Sequence, residues 1–542
     1  MKTFNKLISL AIISMTSLVY TACSDSFFNR YPTDSMQMET YLKNDTELQN
    51  ILFNGYYHLQ DITLNVNYVN SLATDEGYDY KKNNSVDHIN LNESTWDATL
   101  GITSGIWEHG FNMINRCNSV LLKLDNATAA NRTQYEGEAS FLRAYAYFTL
   151  VRLFGPVPIT KMPIEDYSTL YSYGRSSMDE VYNLIKEDLE TAISSLPDNY
   201  SADNMKGRAT RIAAYTMQAD VYMTLQDFTS AQKSIENILT YANQNSERLG
   251  LESDVLRIYS SNNPMGKELI FAAQHNPGAT MVANPLMGRS IPAATPSTQP
   301  AYIYPDRTKS TITTSQGTSC MLMTWELYNE FKANNNDQRF QKLVYNGIYT
   351  NEYVSVASEE VDVTQEGYTY LPVTLKYFDF GNEGMTTCAC GNDNIIYRFA
   401  DVLLMAAEVA HELGYDNQSR QYLQRVRNRV GLSTDSNLAG NALRDAIREE
   451  RRLELAFEGQ RLFDLRRWKM DDGRTMLEHV MGPDGTFVKY NMEESTDEFE
   501  TTNQIEPSTK GTSFNSQRDL LFPIPYNDVQ LSGGIIEQNP GF

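Results

Sequence analysis

The chain has 542 residues, 41% of them hydrophobic and 21% charged, enough for a large core and ordinary for a globular protein. With 68 acidic against 45 basic residues the formal net charge is −23; this argues against nucleic acid, whose phosphates need Lys and Arg, and against adsorption of the folded body on anionic lipid. Tyrosine alone contributes 34 residues, and tyrosine-rich surfaces suit recognition because each ring offers an apolar face and a polar tip.

At the N-terminus Lys2 and Lys6 precede an apolar run, Leu7 to Tyr20, too short to span a bilayer comfortably and built like a signal peptide, here 1–22. Thr21-Ala22-Cys23 follows. Small residues before a cysteine resemble a bacterial lipobox, in which the signal is removed and Cys23 becomes the lipidated first residue. The usual leucine three positions before that cysteine is Tyr20 here, and a plain secretory signal is the alternative. Of the other cysteines, Cys388 and Cys390 are too close for an ordinary mutual disulfide, and pairing of one of them with Cys320 stays open. No CxxC occurs and no histidine lies near Cys388 and Cys390, so no zinc site and no cofactor is expected. The many Asp and Asn residues are compatible with calcium, but no EF-hand spacing is present.

Residues 23–40 read as an extended tether and 41–542 as one body. Tyr41 to Leu59 has helical spacing. Asn65 to Gly105 reads as a long irregular segment, rich in Asn, Asp, Thr and Tyr, and such segments are usually functional or disordered. Helices are expected over Ile106–Leu124, Thr133–Phe154 (before Gly155-Pro156), Ser177–Leu196, Arg208–Leu225, Thr229–Tyr241, Phe399–Leu413 and Ser419–Val430. The recurrence of helix–turn–helix pairs, with Ala219, Tyr222, Leu225 and Ala231 in one of them, resembles tetratricopeptide repeats. The fold expected is mainly all-α: a tetratricopeptide-like helix-pair scaffold over about 41–261 and 395–468. Irregular loops and short strands are inserted over about 262–394, with strand-like residues from Gly367 to Phe380. A tail, 469–542, is polar loop up to Ser513 and ends in the strip Leu520–Pro525, whose two prolines keep it extended and pinned to the body.

The stretch Asn441–Trp468 begins as a helix with Leu443, Ala446, Ile447 and Phe457 on one stripe. The same period puts Glu450 and Glu454 in that stripe, where a carboxylate must be paired. A buried ion-pair lattice with Arg461, Arg466 and Arg467 of the next segment is the simpler expectation, and a catalytic carboxylate pair the alternative.

The motifs then add up. Cys23 is followed by a helix with Trp107, Asn115 and Asn118, and by Arg143-Ala144-Tyr145-Ala146-Tyr147-Phe148 leading to Phe154-Gly155-Pro156. Tyr397-Arg398-Phe399-Ala400-Asp401 and Leu423 to Arg429 come next, then Arg448 to Gly459, Pro523-Ile524-Pro525 and the ending Gln538 to Phe542. In this order they resemble the SusD/RagB family of Bacteroidetes nutrient-binding lipoproteins across nearly the whole mature chain. The resemblance implies an outer-membrane lipoprotein facing outward and anchored through lipid at Cys23. It implies a SusC-like TonB-dependent transporter as partner, and capture of oligosaccharides, or in some members peptides, without cleavage.

Those motifs lie in the scaffold and do not name the site. A sugar ring stacks its apolar face on an aromatic ring, and its hydroxyls need polar partners, since a dry unpaired hydroxyl costs about 1–3 kcal/mol. The Asn65–Gly105 segment supplies Trp96, flanked by polar residues, with Tyr78, Tyr80, Asp75 and Asn83. Arg289, Tyr302 and Tyr304 form a second group, and Tyr171 and Tyr173 a weaker third. The expectation is a shallow aromatic platform built from the 65–105 and 276–306 loops. Packing of the same rings onto the helices is the alternative. Two other classes compete: a glycoside hydrolase, although no HExxH, GxSxG, P-loop or GxGxxG motif appears, and a purely structural repeat scaffold.

Overall fold

The structure, a computed structural model, describes residues 42–79, 85–164, 167–202, 205–276, 284–290, 301–303, 312–314, 320–345, 348–350, 368–370, 372–378, 390–493 and 510–542. The signal segment, Cys23, the tether to residue 40 and Cys388 fall outside these residues. Residues 44–542 form one compact unit.

The first half is an array of helices. α1 (Asp45–Leu72) leads through β1 (Gly77–Tyr78) to α2 (Val86–Glu93), α3 (Gly101–Leu122), α4 (Arg132–Phe154), α5 (Met178–Ser195), α6 (Arg211–Thr224) and α7 (Phe228–Gln244). α1 packs on α3, α3 on α4, α4 on α5, α5 on α6 and α6 on α7, so neighbours in sequence are neighbours in space. Local chemistry sets the ends. Ser177 and Glu180 close a capping box on α5, and Thr210 and Asp227 cap α6 and α7. α4 stops at Gly155, whose φ of 74° suits glycine alone and which abuts Leu521 of the tail. α4 itself is buried almost all round. Its Arg143 is held by Asp188 at 2.7 and 2.9 Å and by Asn118 at 2.7 Å, which makes that arginine the joint of α3, α4 and α5.

After α7 the chain leaves the array through β2 (Leu269–Ala273) and passes α8 (Leu286–Ser290), β3 (Ala301–Ile303), β4 (Ile312–Thr314), β5 (Leu322–Met323), α9 (Trp325–Lys332), α10 (Gln338–Leu343), β6 (Val344–Tyr345), β7 (Ile348–Thr350), β8 (Tyr368–Tyr370) and β9 (Val373–Thr374). It returns at β10 (Asn394–Arg398), antiparallel to β2 with Asn394 opposite Ala273. One small sheet has the order β4-β3-β7-β8, while β1 pairs with β5 and β6 with β9. α11 (Phe399–Glu412) then docks on α7 and resumes the array with α12 (Asp416–Arg429) and α13 (Gly440–Leu455). α14 (Arg461–Arg467), α15 (Met476–Met481), α16 (Thr486–Glu493) and α17 (Tyr526–Leu531) complete the described elements. The all-α helix-pair scaffold with short inserted strands is therefore the observed fold. None of the described helices is long and apolar enough to cross a membrane.

Two stretches differ from expectation. Asn65 to Gly105 is not one irregular loop: α1 continues to Leu72, and α2 follows. The buried Asn67 and Asn70 donate to the carbonyls of Thr63 and Val66 at 2.9 Å, and their own oxygens accept from Tyr377 Oη and the Leu462 amide. Such residues favour turns in isolation, but here tertiary partners hold them in a helix. The polar stretch after Lys469 likewise holds α15, opened by a capping box of Thr475 and Glu478, and α16. Leu520–Pro525 does run along the body. The Phe522 amide donates to Leu153 O at 2.8 Å, and Asn539 Nδ2 bridges Phe154 O and Phe522 O.

The core of the second half is ionic. Glu450 and Glu454 are buried on α13. Arg339 donates to Glu450 at 2.6 Å and to Glu454 at 2.9 Å, Arg427 to Glu450 at 2.8 Å, Arg398 to Glu454 at 2.6 Å, and Arg429 also pairs with Glu454. Lys376 and Arg398 hold Glu458 at 2.6 and 2.7 Å. The lattice expected from sequence exists, but its cations come from other segments. Arg461 goes to Asp75, and Arg467 to Glu408 and Asp464; Arg466 donates to the carbonyl of Arg152. α13 is clamped to α14 instead by Arg451, which bonds Asp464 at 3.0 Å and Asp401 at 2.9 Å. Burial opposes the Glu454 charge, yet Arg429, Arg398 and Arg339 hold its carboxyl well below the usual range. Three arginines therefore share this one carboxylate.

Candidate functional site

β5 and the residues just before it, outside both expected ligand segments, tie residues of one to a residue of the other. β1 pairs with β5, Gly77 opposite Met323 and Tyr78 opposite Leu322. The Cys320 and Met321 amides donate to Arg289 O at 3.1 and 2.9 Å, which ties α8 to the same place. Thr324 caps α9 and donates its hydroxyl to Asp75 O at 2.8 Å. The junction of β1, β5 and α8 therefore joins residues near 75–79 to residues near 289 and 320.

The individual residues divide sharply. Trp96 is 2% exposed and packs on Phe522 with ring centroids 5.0 Å apart. It belongs to the tail's anchorage, and neither ring face is open to a sugar. Asp75 is 1% exposed, with Arg461 at 2.7 and 2.9 Å and Arg452 at 2.9 Å. Burial opposes its charge, but the two arginines hold its carboxyl far below the usual range. It is a structural anion. Tyr78 is buried within the β1–β5 ladder. These three expectations are corrected by burial. Arg289 is half-buried and neighbours the Tyr68 hydroxyl. Tyr302 lies in β3 opposite Thr313 and Thr350. Tyr80, Asn83 and Tyr304 lie outside the described residues.

Next to this junction two buried groups titrate against habit. Burial pushes the Glu76 carboxyl up to about 7 and the Lys510 amine down to about 7. Their neighbour Asp75 already takes the nearby arginines.

A second feature was missed. An open cleft of about 610 Å³ lies between α3, the Tyr167–Ser172 turn and α17, lined among others by Trp107, Glu108, Tyr171, Tyr526 and Asp528. The Tyr526 amide donates to Ala98 O at 2.8 Å, which fixes the start of α17 over this cleft. Tyr526 is 52% exposed, while Trp107 is buried and forms the floor against Phe111, centroids 4.8 Å apart. Burial raises the Asp528 carboxyl, and no cation is among the groups acting on it. The cleft thus offers an exposed ring beside carboxylates not neutralised by arginine, a set able to stack on a sugar face and accept from its hydroxyls. Tyr171 is the only member that sequence reasoning named as a ligand candidate. Tyr526 opens α17 directly after the strip Leu520–Pro525, and nothing local tells that it shares a cleft with Trp107 from far away in sequence.

Comparison with known proteins agrees with this architecture. Residues 285–542 match the model described as the SusD family, and residues 28–223 match a model described as starch-binding associating with outer membrane. The chain is 26% identical to SusD-like protein P2 of Formosa agariphila, over 97% of this chain and 98% of that protein. Among solved structures it resembles a laminarin-binding SusD-like protein (TM-score 0.69, 21% identity, 92% of this chain and all of that one). It also resembles the surface glycan-binding protein A of Bacteroides uniformis (TM-score 0.69, 23% identity, 91% and 99%).

Proposed function

Because the chain belongs to the SusD/RagB family, we propose that it is a non-catalytic carbohydrate-binding protein of the outer-membrane surface. It is held there by lipid on Cys23, captures oligosaccharides and passes them to a SusC-like TonB-dependent transporter. The observation that carries the reading is likeness across more than nine-tenths of the chain to proteins named for laminarin and surface-glycan binding. The saturated carboxylates of α13 support a binding role over hydrolysis, since a glycosidase needs an acid and a base free to act.

The ligand surface we propose is the junction of β1, β5 and α8 with Arg289, without Trp96, Asp75 or Tyr78; Tyr80, Asn83, Tyr302 and Tyr304 stay candidates on their residue types alone. The cleft under Tyr526 is a second place, favoured by its volume and its exposed ring. The test is retention of the chain lacking Cys23 on gels cast with plant, host and microbial glycans. Retention on one of them, without new reducing ends, is the expected result. No retention on any, with a barrel still co-purifying from membranes, would favour a structural scaffold. Arg289→Ala and Tyr526→Ala then separate the two places, the true one losing about tenfold in affinity, some 1.4 kcal/mol.

A further inference from the structure

Asp79, His88 and Cys320 converge from three separate segments: the residue after β1, the first turn of α2, and the approach to β5. Their ligating atoms all lie within 4.8 Å of one another, and the residues are 5%, 7% and 1% exposed. The His88–Asp79 pair is a loose one, as the partly exposed His109–Asp61 pair at 3.7 Å also is. His88 Nδ1 stands 3.6 Å from Asp79 Oδ2, whereas pairs such as Arg143–Asp188 and Arg461–Asp75 in the same core close to 2.7 Å. Two ligands on one tetrahedral zinc-like ion, with bonds of about 2.0–2.3 Å, stand roughly 3.3–3.7 Å apart.

Two further observations concern the helix that carries His88. His88 Nδ1, in a residue more than nine-tenths buried, faces Asp79 and Cys320 without closing a bond of ordinary length to Asp79. Asn92, one turn along the same helix face, is 7% exposed, and its Oδ1 is without a partner among the described residues. The tilted Tyr68 ring, 4.8 Å from that of His88, fixes the imidazole plane.

We propose that Asp79, His88 and Cys320 form a binding site for a borderline-soft divalent cation of the zinc class. A nitrogen, an oxygen and a sulfur donor select such an ion over calcium or magnesium, which take oxygen sets. Asn92 Oδ1 or water completes the tetrahedron. A Cys-His-Asp nucleophile is the rival use of these residues, but a thiol 1% exposed has no path to a substrate. The ion displaces the Cys320 thiol proton and any second proton on His88, so binding weakens in acid. Asp79 and His88 bracket the segment carrying Tyr80 and Asn83, so the ion ties both ends of that segment to β5. The pairing was hidden in sequence because the cysteine and the histidine lie far apart and share no motif.

The test is cobalt and zinc titration of the full chain after stripping with chelator. One equivalent of Co²⁺ should give tetrahedral d–d bands and a thiolate-to-cobalt charge-transfer band, both erased by Zn²⁺. Cys320→Ser should remove the charge-transfer band, and His88→Gln should lower Zn²⁺ affinity by at least about 100-fold. Cys117→Ser, in α3, should change neither. Absence of the charge-transfer band in the wild-type chain overturns the site, whatever the variants do. So does a band that survives in a folded Cys320→Ser chain.

Discussion

Two sets of acidic residues in this fold meet opposite surroundings. Around α13, Glu450, Glu454 and Glu458 face Arg339, Arg398, Arg427, Arg429 and Lys376 inside the protein, and every contact is short. In the cleft under α17, Asp528 lies beside an exposed tyrosine, with no cation acting on it. A carboxylate saturated by guanidinium is already spent on the fold. Asp528, beside an aromatic rim, accepts from Trp107 and is engaged by no cation.

The contrast breaks most visibly at its saturated end. Glu454→Gln takes a shared carboxylate from Arg339, Arg398 and Arg429, which keep Glu450, Glu458 and Glu268, and removing one partner of a buried ion pair costs up to about 3–5 kcal/mol. Chemical denaturation should show that loss while glycan affinity holds; lost affinity with intact stability would reverse the roles. Trp96→Ala should cost about 3 kcal/mol by emptying the space beside Phe522, again without lowering affinity in the protein that remains folded. A drop in affinity there would restore Trp96 to the ligand.

Glu76 sharpens the comparison through pH. Its folded carboxyl titrates near 7 and the unfolded one near the ordinary 4.5. Between those values the folded chain holds the extra proton, so this group's stabilising contribution is complete below pH 4.5 and is lost as pH rises to 7. Glu76→Gln should flatten that fall, by about 3 kcal/mol at most, in melting temperatures taken across the interval. An unchanged slope would mean Glu76 is ionised in the fold. Glu454 behaves in the opposite sense: its arginines hold the folded carboxyl well below 4.5, so its contribution is present above that value and is lost only in more acid solution.

The smallest effect on stability belongs to the open end. Tyr526→Ala removes a ring half in solvent and should change stability by no more than about 0.5 kcal/mol. Any loss of affinity in that variant therefore reports contact with ligand.

Much of the array was legible because capping residues, Gly155-Pro156 and the 3.6-residue period act locally. Ser177 caps α5 where the pattern opens that helix, while α7 starts one residue before the expected Thr229, at Phe228, capped by Asp227. Glu450 and Glu454 were legible as buried and paired, but not their cations, since Arg339 and Arg398 reach them through tertiary folding alone. Asn67 and Asn70 misled for the same reason: their amides bond helix carbonyls that composition does not reveal. The site was least legible of all. An exposed tyrosine and a buried tryptophan have the same polar neighbours in sequence, and only Phe522 packing on Trp96 tells which is which.

The lattice also has a bearing on how the chain avoids going wrong. Arg339 and Lys376 belong to the excursion between β2 and β10, while Glu450, Glu454 and Glu458 belong to the scaffold and the turn after α13. A molecule whose excursion has docked out of register leaves those carboxylates short of charge in a dry interior. The scaffold's buried carboxylates are therefore fully neutralised only when the insert is seated in register.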